Sequence, residues 1–412
     1  MFGIPAPVVP GPVEGCAMNR EKNGTTQLDT QEAPARLIAL YLPQYHPIPE
    51  NDKWWGRGFT EWTNAAKAKP LFKGHYQPHV PADLGYYDLR LPETRVAQAD
   101  MARKFGIEAF CYYHYWFAGK RLIERPFNEV LASGEPDFPF CLCWANQTWS
   151  GIWHGEPNRV LIEQTYPGMD DHRRHFETLL PAFYDRRYMK VDGKPLFMVN
   201  CSRDLPDSPR VLEFWRELAM KAGLPGIFFV GEHWEPDWDP KPYGYDAVVT
   251  IGLWTWRYKW ASWEQPIKKI LQKINKLRGR PRVYPYEKII DHLVAEPIPG
   301  IENYPCVIPN WDNTPRSGWN GLVLHDSTPE LFRRHLRKAL DRVRDIPREH
   351  RIVFVKSWNE WAEGNHLEPD LKFGLRYLEV LREELLEVQA LEKQKAAREV
   401  NSQKPCLKRI PT

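Results

Sequence analysis

The chain has no apolar run near the roughly 18 residues that a membrane-crossing helix needs. Its first 34 residues carry proline, glycine and charge, not the apolar stretch of a secretory signal. Cysteine is scarce and odd in number, seven in 412 residues, which excludes a disulfide scaffold. Cys111, Cys141 and Cys143 fall inside apolar runs and read as small buried thiols. These absences together point to the cytoplasm. Charge of one sign is not in excess: 56 Lys and Arg face 53 Asp and Glu. That balance excludes a chain-wide nucleic-acid footprint, and no nucleic-acid partner is expected. No GxGxxG, P-loop or HExxH is present, so neither a cofactor nor a metal is expected.

What the chain has in quantity is aromatic. Its 18 Trp equal its 18 Tyr and its 18 Phe, although Trp is ordinarily the rarest of the three. Flat rings with one polar edge suit ligands that are part apolar and part hydroxylated, as sugars are. An aromatic core would use the same residues, so their position decides between the two.

Residues 1–34 lack periodicity and read as a disordered leader. From Arg36 onward, eight β-branched or aromatic runs follow, at 37–43, 107–116, 138–146, 195–201, 226–234, 245–252, 305–311 and 352–358. Helical patterns lie between and after them at 91–106, 170–185, 208–223, 328–344 and 374–395. Alternation of this kind, with strands apolar along their whole length, predicts one α/β domain over 35–395, a (β/α)8 TIM barrel. Its first βα loop is long, from about His46 to Pro92, and an insertion follows strand six. Residues 396–412 read as a flexible basic tail. A doubly wound open sheet is the alternative.

Almost every predicted strand ends in polar and aromatic residues. The first ends in Tyr41, Gln44, Tyr45 and His46, the second in His114, Tyr115 and Trp116, the third in Trp144, Asn146, Gln147 and Trp149. Asn200 closes the fourth and Glu232, His233 and Trp234 the fifth; Asn310, Trp311 and Asp312 close the seventh. In a barrel these ends meet at one mouth, where active sites lie. The first loop adds WWGRGFTEWTNA, residues 54–65. Substrate contacts are therefore expected from Tyr45, His46, Trp55, Glu61, Trp62, Asn64, His114, Trp116, Trp144, Asn146, Glu232, Trp311, Trp358 and Asn359.

The segment KSWNEWAEGNHLEPD, residues 356–370, places Glu360 and Glu363 three apart directly after the eighth strand, between Trp358 and Trp361. Two close carboxylates in a partly dry site split their pKa values, so that one serves as acid and the other as base. A glycosidic bond needs such a pair. A solvated pair opening a helix would have the same spacing. Glu368 is a weaker third candidate.

ALYLPQYHPIPEND, the WWGRGFTEWTN loop, YYHYWF, WANQTW and SWNEWAEGNHLEPD together resemble the WbsX-type proteins of bacterial polysaccharide gene clusters. Those are often labelled glycosyltransferases and carry a domain similar to glycoside hydrolase family 99, the endo-α-mannosidases. The resemblance runs from about Arg36 to about Val388. The link to family 99 itself rests chiefly on the barrel and on the N-E-W-x-E-G pattern of 359–364. It implies that Glu360 takes the proton of a sugar 2-hydroxyl, whose oxygen then forms a 1,2-anhydro sugar, while Glu363 protonates the leaving group. Ala362 stands where family 99 tends to place His, which leaves the sugar open. The chemistry needs a 2-hydroxyl trans to the leaving group, as in α-mannose or α-rhamnose.

Other signals are looser. His75 and His79 have an i, i+4 metal-pair spacing, but Pro78 interrupts any helix there. Residues 257–285 are basic, with Ile and Leu at helical spacing, and 264–282 could meet an anionic membrane surface or an acidic polysaccharide. A barrel-insertion helix packed inward fits the same pattern. Asp237-Trp238-Asp239 matches the loose DxD of nucleotide-sugar sites. Three functions remain in play: a retaining, endo-acting glycoside hydrolase or transglycosylase on a bacterial surface polysaccharide, a glycosyltransferase of O-antigen or capsule biosynthesis, and a non-catalytic carbohydrate-binding barrel.

Overall fold

A computed structural model of the chain describes residues 33–151, 156–235, 237–253 and 279–402. Eight parallel strands form its centre: β1 (Arg36–Tyr41), β2 (Ala109–Phe117), β3 (Phe140–Trp144), β4 (Lys194–Val199), β5 (Phe228–His233), β6 (Ala247–Thr250), β7 (Asn303–Val307) and β8 (Ile352–Val355). Each pairs with its sequence neighbour, and β1 pairs with both β2 and β8. Register Arg36↔Ile352 on one side and Ile38↔Ala109 on the other closes the sheet on itself. An open doubly wound sheet is thereby excluded. The strands read as continuous apolar runs because parallel barrel strands are covered on both faces; every residue of β2 is buried.

Seven helices among the described residues accompany the strands: α1 (Pro92–Phe105), α2 (Arg125–Ser133), α3 (Met169–Tyr184), α4 (Ser208–Lys221), α5 (Tyr286–Leu293), α6 (Pro329–Val343) and α7 (Arg376–Ser402). α1 starts on a proline, which loses nothing at a helix N-terminus, and stops at Gly106 in the left-handed region (φ 95°). α6 is capped by Thr328, whose hydroxyl accepts from the Leu331 amide at 3.3 Å. Among the described residues the alternation fails once: only a 3-10 turn, Lys241–Tyr243, lies between β5 and β6. α2 and α5 were not anticipated, being too short for a firm period.

The first βα loop carries two short helices, Pro49–Trp55 and Glu61–Lys67. The insertion after β6 contributes a strand, Arg282–Pro285, paired in parallel with Leu322–His325. The basic stretch expected at 264–282 lies largely outside the described residues, as do 1–32 and 403–412. Ala33, within the expected leader, is buried and accepts a hydrogen bond from Arg348. α7 runs to Ser402, so residues 396–402 continue a helix and not a tail. Among the described residues no helix is long and apolar enough to cross a membrane.

Candidate active site

A cavity of about 450 Å³ opens where the C-terminal ends of the strands converge. Trp55, Phe59, Tyr113, Tyr115, Trp149 and Trp311 form its aromatic walls. Gln44, Asn51, Asn64, Gln147 and Asn200 add amides, and Glu61, Glu232, Arg316, Lys356, Glu360 and Glu363 add charge. Apolar walls with a few convergent polar groups are what an oriented ligand needs. Asn51 Nδ2 and Oδ1, Asn64 Oδ1 and Glu360 Oε2 are buried without a hydrogen-bond partner among the described residues. Buried polar atoms in folded proteins are nearly always partnered, so these four are available to ligand hydroxyls.

Both glutamates of the expected pair face this cavity and both are buried. They stand on an irregular segment that β8 projects past the barrel rim. Asn359↔His366 and Glu360↔Asn365 pair there in a minimal antiparallel ladder, and Trp361–Glu363 forms a 3-10 turn. Gly364 closes the turn at φ 56°, and a Cβ on it would come within 2.9 Å of the Asp312 Cβ. Only glycine allows that approach. Its reward is a hydrogen bond from the Asp312 amide to the Glu363 carbonyl at 2.6 Å.

The charges divide into two linked sets. Arg316 donates from Nε to Glu61 at 2.8 Å and from a terminal nitrogen to Glu363 at 2.6 Å. Lys356 stands 3.7 Å from Glu360 Oε2 and donates to the Tyr113 hydroxyl at 2.9 Å. Burial first, and then the Glu360 carboxylate, push Glu363 up to about 8. Arg316 opposes that shift, but burial and Glu360 outweigh it. Burial also raises Glu232, against the pull of Lys356 and an Asn200 hydrogen bond at 2.6 Å. The cavity thus contains Glu363, whose carboxyl is raised toward the protonated form, beside Glu360, which stands against the Lys356 ammonium.

Of the expected contacts, Trp55, Glu61, Asn64, Glu232 and Trp311 line the cavity. The other expected contacts do not, and strand alternation explains three of them. On β2, Tyr113 and Tyr115 point inward, so His114 and Trp116 point to the helix layer. His114 hydrogen-bonds His175 of α3 at 2.8 Å, Trp116 donates to Asp171 at 3.0 Å, and Trp144 packs on His175. Asn146 ties β3 to β4, donating to the Cys201 carbonyl at 3.0 Å and accepting from its amide at 2.8 Å.

Of the remaining five, Asn359, Tyr45, Trp62 and Trp358 hold the carboxylate loop from behind, and His46 bonds within the first loop. Asn359 accepts from the Leu42 amide at 2.7 Å and donates to the Leu42 carbonyl at 3.1 Å, joining the ends of β8 and β1. Tyr45 donates to the Asn359 carbonyl and accepts from the Trp361 amide at 3.3 Å. Trp62 packs on Tyr45 and Trp361, Trp358 packs on Phe110, and His46 bonds the Pro43 carbonyl at 3.1 Å. Glu368 belongs to the same layer and accepts from Gln98 at 2.6 Å, Trp361 at 2.7 Å and Tyr87 at 2.8 Å. Burial pushes it up to about 7.

The expected contacts omit Asn51, Tyr113, Arg316 and Lys356, and also Tyr115, although it stands at the second strand end. Alternation along β2 could have found the tyrosines, and Lys356 closes the eighth apolar run. Arg316 carries no local signal, since long-range packing delivers it. Asp237 and Asp239 are exposed outside the cavity, and Asp239 accepts from the Lys241 amide at 3.1 Å. His75 bonds Asp312 at 2.6 Å, whereas His79, His366 and Asp370 form a group able to hold a metal ion, also outside the cavity.

The model of a family described as Glycosyltransferase WbsX matches residues 37–381. Two proteins named WxcX, from two strains of Xanthomonas campestris pv. campestris, are each 37% identical over 353 residues. The match covers 85% of this chain and 50% of theirs, so the chain spans about half the length of the curated relatives it matches. A solved glycoside hydrolase-like protein aligns at TM-score 0.50 and 16% identity, over 87% of this chain and 96% of that one. A family 99 endo-α-mannosidase from Bacteroides thetaiotaomicron aligns at TM-score 0.50 and 15% identity, over 90% and 99%. At such identity the likeness is one of fold.

Proposed function

The chain belongs to the WbsX glycosyltransferase family, and from that premise we propose that it is a retaining, endo-acting glycoside hydrolase or transglycosylase. Its substrate is a bacterial surface polysaccharide, or an intermediate of one, with α-manno- or α-rhamno-configured sugars. The observation that carries this reading is the buried pair at the barrel mouth. Glu363 is held protonated by burial and by Glu360, and Glu360 Oε2 has the Lys356 ammonium at 3.7 Å but no hydrogen bond.

In the proposed reaction the Glu360 carboxylate takes the proton of the 2-hydroxyl. That oxygen attacks the anomeric carbon as the glycosidic bond breaks, and Glu363 gives its proton to the leaving oxygen. Glu363, now ionised, takes a proton from an incoming water. The water oxygen bonds to the anomeric carbon, the 1,2-anhydro ring opens, and Glu360 returns its proton to the 2-oxygen. Two inversions give net retention. Lys356 and Arg316 keep the two carboxyls in place and unequal through the cycle. The six ring walls pack against sugar faces, and Asn51 and Asn64 receive hydroxyls.

An acceptor hydroxyl in place of water would make the same machinery a transferase, which is the reading the family description favours. The test uses α-mannosyl and α-rhamnosyl glycans, without added nucleotide, and follows new reducing ends. Wild type is expected to cleave, with losses of about a hundredfold or more in Glu360→Gln and Glu363→Gln. Chain growth only with a supplied activated donor would overturn hydrolysis in favour of transfer. Glycan binding without turnover, unaffected by either substitution, would leave a binding barrel.

A further inference from the structure

The geometry points to a divalent metal site of the zinc class, held by His79, His366 and Asp370 behind the carboxylate loop. All three side chains are buried, and their ligand atoms lie within 4.8 Å of one another. His79 Nδ1 stands 2.9 Å from His366 Nε2, and His366 Nε2 stands 4.0 Å from Asp370 Oδ2. Ligands bonded to zinc at about 2.0–2.1 Å in a tetrahedron lie about 3.3 Å apart. Reaching that spacing parts the two imidazoles by about 0.4 Å and draws Asp370 in by about 0.7 Å or more.

The outward atoms are already arranged as such a site requires. His366 Nδ1 donates to the Glu368 carbonyl at 2.8 Å, so its Nε2 lone pair faces His79 and accepts from His79 Nδ1 until an ion displaces that proton. Asp370 Oδ1 accepts from the Lys372 and Phe373 amides at 3.0 and 2.7 Å, which leaves Oδ2. Tyr76 stacks on His79 with centroids 4.3 Å apart, and Trp361 on His366 at 3.8 Å, so neither ring swings freely. Backbone bonds from Leu371 to Val80 and from Ala82 to Pro369, both 2.9 Å, pin the two ligand-bearing segments together. A cleft of about 30 Å³ borders His79, though not His366 or Asp370, and a water entering from that side would be the fourth ligand. Two imidazoles and one carboxylate suit zinc or its neighbours better than calcium or magnesium.

The site is structural. His79 belongs to the first βα loop, which carries Trp55, Glu61 and Asn64 to the cavity, and His366 is paired through its backbone to Asn359 beside Glu360. A bound ion would clamp the substrate loop onto the carboxylate loop from behind, and none of its ligands lines the cavity.

The test strips the full-length protein of metal and titrates it with cobalt(II), read by visible absorption, and with zinc, read by thermal unfolding. One equivalent of cobalt is expected to bind with the spectrum of a four-coordinate nitrogen–oxygen site, and zinc to raise the melting temperature. Both responses are expected to vanish in His79→Gln and Asp370→Asn. His79→Cys is expected to bind cobalt with an added thiolate charge-transfer band, a signature of direct ligation that a packing role cannot produce. Proton NMR of the cobalt-loaded wild type reads the ligands without any variant: two shifted, exchangeable imidazole N–H resonances are expected. No saturable binding by the wild type, fewer than two such resonances, or binding unchanged in the variants would overturn the site and leave a neutral histidine pair.

Discussion

Arg316 donates to Glu363 at 2.6 Å while the same guanidinium bonds Glu61 at 2.8 Å. One cation thus serves two buried carboxyls, and Glu363 stays elevated. Arg316→Gln leaves Glu61 buried and unpaired, and should cost about 3 kcal/mol of stability. It should also move the alkaline limb of the pH–activity profile upward, since an opposing charge on Glu363 is gone. Urea unfolding and a pH profile check the two effects separately.

Elevation of Glu363 to about 8 has a definite sign for stability. The fold favours the protonated form, so this contribution is full below the ordinary carboxyl range and is lost as pH rises through about 8. Activity that needs Glu363 as an acid should fall across the same limb. Compared with Glu363→Gln, the wild type should lose more stability between about pH 5 and about pH 9. Parallel unfolding curves for the two proteins over that range would contradict the assignment.

Trp144 and Trp311 should separate cleanly. Trp144→Ala removes an indole packed on His175 in the outer layer, at about 3–5 kcal/mol, with little change in kcat/KM per folded molecule. Trp311→Ala removes a wall of the cavity and should raise KM several-fold. Steady-state kinetics at a temperature where both remain folded decides.

Asn359 positions the carboxylate segment through its two bonds to Leu42. Asn359→Ala should cost about 1–3 kcal/mol, since it leaves a buried backbone amide and carbonyl unpartnered, and should lower kcat more than it raises KM. Asn359→Asp restores only the acceptor, so it should recover part of the loss.

The eight apolar runs were legible because parallel barrel strands are covered on both faces, and each run lies within a few residues of an observed strand. Glu360 and Glu363 were legible because the end of β8 has to point at the mouth. Only alternate residues of a strand end face inward. His114 and Trp116 alternate with Tyr113 and Tyr115, and period two sends one pair to the cavity and the other to α3. Tyr45 and Asn359, polar residues at strand ends, hold the loop that carries Glu360 and do not line the cavity. Arg316 and the His79–His366 contact join positions far apart in the chain, and no local pattern announces such pairs.

The unequal roles of the two glutamates are tested most directly by leaving-group dependence. Wild type, Glu360→Gln and Glu363→Gln would be compared on a glycan and on an aryl glycoside of the same sugar whose phenolate departs without protonation. The account predicts that Glu363→Gln loses about a hundredfold or more on the glycan but still releases the phenolate in a first turnover, while Glu360→Gln fails on both. Equal losses on both substrates in Glu363→Gln, or full phenolate release by Glu360→Gln, would contradict it.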